Sequence, residues 1–147
     1  MKIHFGQVYI DPGARFPFSH VFQGFLSDEI TKVVVPSDQF IKTYGSEFDL
    51  NFNVSAKKDL QDNEIKGPGV YRKSGHVEYS IFLPYDVIAN LDVTGRNERT
   101  LRSALQYLFK GVYSVFTSLG INPDAVRENQ ESLIEQICSN PSMLDDD

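Results

Sequence analysis

Four carboxylates near the end of the chain, Asp124, Glu128, Glu131 and Glu135, are spaced four, three and four residues apart. On a helix that spacing gathers all four within about 60° of one face, because residues three and four apart are neighbours there. Val126, Leu133 and Ile137 then fall on the opposite face and point toward a core. Like charges at this spacing cost a helix about 0.2–0.5 kcal/mol per pair, and few bases lie near enough in sequence to offset them. A merely solvated outer face explains Asp124, which sits at the positive N-terminal end of a helix. It does not explain Glu135, which sits at the negative end. The chemistry of such a ridge is attraction for a basic partner.

Other groups offer less. Asp59, Asp62 and Glu64 lie in a polar stretch between residues 57 and 69 that ends in Gly67-Pro68-Gly69 and reads as a long loop able to add to the acidic surface. Lys57, Lys58, Lys66, Arg72 and Lys73, with Tyr71 among them, resemble a track for single-stranded nucleic acid, but the same three acids interrupt it. An ordinary exposed hairpin and loop accounts for them. For acid–base chemistry the place to look is Asp49, His76 and Glu78, which fall on the polar side of strand-like alternations; nothing in their spacing forces them together. Cys138 lies near a helix C-terminus, where the dipole disfavours a thiolate. His4, His20 and His76 have no metal-ligand spacing, and no phosphate loop, dinucleotide fingerprint, zinc-protease or nucleophile-elbow motif occurs. These residues therefore imply no catalytic centre, no cofactor and no metal.

The elements that carry these groups follow from periodicity. Phe48, Leu50, Phe52 and Val54 alternate with Asp49, Asn51 and Asn53, and Val77, Tyr79, Ile81 and Leu83 alternate with His76, Glu78 and Ser80. Both are strands with one buried face. Val70–Lys73 with Ser74-Gly75 predicts a hairpin pairing Lys73 with His76 and Tyr71 with Glu78. Residues 2–10 read as a strand with a bulge near Gly6-Gln7, residues 11–19 as turns, and 20–26 and 30–35 as further strands. Ser37 caps a short helix over 38–44 that stops at Gly45. Over 97–119, Leu101, Leu105, Leu108, Val112, Val115, Phe116 and Leu119 form one stripe. Burying those side chains at about 1.5–3 kcal/mol each makes this helix the largest hydrophobic contributor. Gly120 and Ile121 end it, Asn122-Pro123 starts a final helix over about 123–138, and a tail from 143 is expected to fray. The fold class is α+β: an antiparallel sheet from the N-terminal part, packed against two C-terminal helices, in a single domain spanning 1–147.

Charge is lopsided. Residues 1–120 hold thirteen bases and thirteen acids, so the net charge of −6 lies wholly in the last 27 residues. That balance argues against direct nucleic-acid binding, which wants a basic face. A single cysteine, no apolar run long enough for a leader and no stretch of about 18 apolar residues point to a cytoplasmic protein without membrane contact. In size, acidity and sheet-then-helices layout the chain resembles the small immunity proteins of bacterial polymorphic-toxin and contact-dependent growth inhibition systems. The resemblance implies a protein-binding inhibitor that occludes the active site of one cognate toxin, commonly a basic nuclease domain. Its partner surface would use Asp124, Glu128, Glu131 and Glu135, with Asp59, Asp62 and Glu64. The rival reading is a small enzyme or ligand-binding domain near Asp49, His76 and Glu78. A third is a subunit of an assembly, with the oligomeric state left open.

Overall fold

The computed structural model of the protein describes residues 1–7, 19–60, 64–89 and 98–140. Strands β1 (Ile3–Gln7), β2 (Asp49–Lys57), β3 (Ile65–Tyr71) and β4 (His76–Pro84) form one sheet in the order β1-β2-β4-β3. The α+β class holds, but the sheet is mixed. β3 and β4 pair antiparallel, whereas β1–β2 and β2–β4 are parallel.

The cause lies between residues 20 and 35. In place of two strands the chain forms α1 (His20–Val33), opened by Ser19, whose Oγ accepts the Phe22 N–H at 3.1 Å. Phe22, Leu26 and Ile30 recur at helical spacing and are all buried. That stripe outweighs the β-branched run Val33-Val34-Val35, which suggested strand. Ser37 caps α2 (Asp38–Tyr44) as expected. With α1 and α2 interposed, the chain returns to the same end of the sheet before starting β2, so β2 runs parallel to β1. After β2 the chain skips one strand position to form edge strand β3, and the following hairpin drops β4 into the gap.

Two registers differ from expectation. The hairpin sets Tyr71 opposite His76 and Gly69 opposite Glu78, with a turn over 72–75 in which Gly75 has φ 68°. This is a slip of two residues. An even slip leaves every side chain on its own face, so alternation does not reveal it. β3 also claims residues 65–69, assigned above to a loop, with an irregularity between Lys66 and Gly69. β1 pairs with β2 without interruption from Ile3 to Gln7, so the bulge expected near Gly6-Gln7 is absent there. Residues 8–10, the turns over 11–18 and the tail from 143 lie outside the described residues.

The core lies on one face of the sheet. Ile3, Phe5, Leu50, Phe52, Val54, Val77, Ile81 and Leu83 are buried against α1 and α4 (Glu98–Leu119), whose predicted stripe is buried throughout. The Phe52 ring lies 5.1 Å from Phe5 and 6.3 Å from Phe116. α4 approaches β4 closely at Gly111, where a Cβ would stand 2.3 Å from Ile81 Cγ2. It ends as predicted: Gly120 has φ 68°, its N–H donates to the Thr117 carbonyl at 3.2 Å, and the Ile121 N–H donates to the Phe116 carbonyl at 2.9 Å. Asn122 Oδ1 then accepts the Asp124 N–H at 2.9 Å and opens α5 (Asp124–Cys138). α5 packs Val126, Leu133, Ile134 and Ile137 into the core beside α1 and α4. A short helix, α3 (Tyr85–Ala89), follows β4. No described helix is long and apolar enough to cross a membrane.

Candidate functional site

Asp124, Glu128, Glu131 and Glu135 are all exposed along α5. Few bases lie near these acids in sequence, but the fold brings one to them. Arg102, on the facing side of α4, donates Nη1 to Glu131 and Nη2 to Glu135, and reaches Glu98 from the same helix. The hydrogen bond that Arg102 donates to Glu135, more than any other influence, holds its guanidinium further into the charged form. Glu131 and Glu135 would otherwise repel at i,i+4, and a shared counter-ion removes that cost. Arg127, on α5 itself, lies over the Tyr113 ring with its guanidinium carbon 4.8 Å from the centroid. α4 and α5 together carry five acids, Glu98, Asp124, Glu128, Glu131 and Glu135, against four bases, Arg99, Arg102, Lys110 and Arg127, so the acidic excess lies on α5, where four acids stand with Arg127 alone. The ridge is thus weaker than the sequence implied, and part of it is fixed in place. The Glu98–Arg102 pair at i,i+4, together with the short 120–123 connection that makes α4 and α5 antiparallel neighbours, was the readable signal.

Beneath the ridge Tyr113 donates its hydroxyl to Gln130 Oε1. Burial pushes its pKa up to about 12, against the opposing pull of Arg127. A raised folded-state pKa means that the neutral phenol contributes stability in full below the unfolded value near 10, and that this contribution is lost as pH rises toward 12. Burial also raises the pKa of Tyr79, so absorbance titration of phenolate should show a late-ionising fraction that shrinks by one tyrosine in Tyr113→Phe. An unchanged late fraction in that variant assigns it elsewhere. Burial also pushes the Cys138 thiol up, with Arg102 opposing, which agrees with an unreactive cysteine.

The loop acids are carried by other elements. Asp59 is exposed and holds φ 55°. Glu64 is engaged by Lys57, and Asp62 lies outside the described residues. Asp59 and Lys58 border a cleft of about 410 Å³ at the carboxyl ends of β2 and β4, closed on the other side by Tyr85 and Asp86. The bases do not form a track: Lys57 lies over Phe82, Lys58 over Tyr85 and Arg72 over Phe48, each on a separate aromatic ring.

The third group does converge. Helices cover one face of the sheet, and on the other face Asp49, His76 and Glu78 stand together. Asp49 is the register partner of His76, and Asn51 that of Glu78. Asp49 is already engaged: Oδ1 accepts the Lys2 N–H at 2.9 Å, and Oδ2 lies 3.5 Å from His4 Nε2. His76 stacks on Tyr71, with centroids 4.8 Å apart. Glu78 is half-buried and makes no hydrogen bond or ion pair among the described residues, and the Oδ1 of Asn51 is buried without a partner. No set of three or more His, Cys, Asp or Glu among the described residues is placed to hold a metal ion. No family model, curated protein or solved structure matches the chain.

Proposed function

We propose that this protein is a cytoplasmic protein-binding inhibitor of the immunity class, which neutralises a basic cognate toxin, of nuclease type, by covering its active site. The observation that carries the reading is the acidic face of α5: Asp124, Glu128, Glu131 and Glu135 against Arg127 on the same helix, with Arg102 of α4 bracing the last two. A nuclease must be basic to hold phosphates, so a negative ridge steers encounter and mimics the charge of its substrate. Arg102 adds pre-organisation, because carboxylates already held by a guanidinium lose less freedom on binding. The enzyme alternative at Asp49, His76 and Glu78 is less favoured, since Asp49 is engaged by β1 and its neighbouring residue.

The test starts with the product of the nearest toxin-like gene, captured with this chain as bait, followed by association kinetics at low ionic strength. Glu131→Lys with Glu135→Lys should slow association by about tenfold or more, and added salt should shrink the difference. An unchanged association rate at low salt removes the ridge from the mechanism.

A further inference from the structure

We draw no further inference here: the strongest candidate, the cleft of about 410 Å³ at the carboxyl ends of β2 and β4 lined by Lys58, Asp59 and Tyr85, carries none, because Leu60 on its wall leads directly into residues outside the described set and nothing in the structure shows what covers it.

Discussion

Phe52→Ala is expected to cost about 3–5 kcal/mol of folding free energy, the range for emptying a fully buried aromatic site. Phe52 is wholly buried at the centre of β2 and touches Phe5 on β1 and Phe116 on α4. Removing it opens a cavity between three elements that cannot all collapse inward, because β1 and β2 are held by their ladder and α4 by its own stripe. The melting temperature should fall by about 10–15 °C for a chain of this size. Urea unfolding gives the comparison directly, with an unchanged slope showing that only stability has moved. A loss below about 1 kcal/mol contradicts this account of the core.

The second large effect runs the other way, from too much volume. Gly111→Leu should destabilise by about 3 kcal/mol or more, at the upper end for over-packing. The position is helical, where replacing glycine ordinarily gains about 1 kcal/mol, so a loss isolates the packing contribution. Even the Cβ of Gly111→Ala would lie 2.3 Å from Ile81 Cγ2, far inside contact distance. Ile81 is β-branched and wholly buried, so its methyl has little room to turn away. In an Ile81→Ala background the cost of Gly111→Ala should shrink or change sign, a coupling read from a double-mutant cycle. Equal cost in both backgrounds places the constraint elsewhere. This close approach also bears on function. It seats α4 on the sheet and so helps to fix where Arg102 stands relative to α5.

Arg102 alters how the acidic surface is understood. A row of four carboxylates on one helix looks like repulsion awaiting a partner. In the folded protein, part of that repulsion is already answered from within, since Glu131 and Glu135 share a guanidinium. Asp124 and Glu128, toward the start of α5, make no ion pair among the described residues. A basic partner therefore meets two kinds of acid on one helix: a braced pair and a looser pair.

The chain by itself determined the elements that depend on local period and capping. The apolar stripe from Leu101 to Leu119, the stop at Gly120 and Ile121, the start at Asn122, the Ser37 cap and the alternating faces of β2 and β4 all follow from neighbours a few residues away. The carboxylate face of α5 belongs with them. Tertiary structure decided what depends on partners distant in sequence. Parallel and antiparallel strands share the same two-residue period, so alternation could not reveal that β1, β2 and β4 run the same way. The helical spacing of Phe22, Leu26 and Ile30 was present, but the β-branched residues after it carried the opposite signal. The two-residue slip of the hairpin left no trace in the pattern, because both registers keep every side chain on its face. Arg102 meets Glu131 and Glu135 across 29 and 33 residues, and Asn51 meets Glu78 only because β4 lies beside β2. Charge and periodicity are properties of a segment; which charge is answered, and which acceptor is left without a donor, is settled only when segments are brought together.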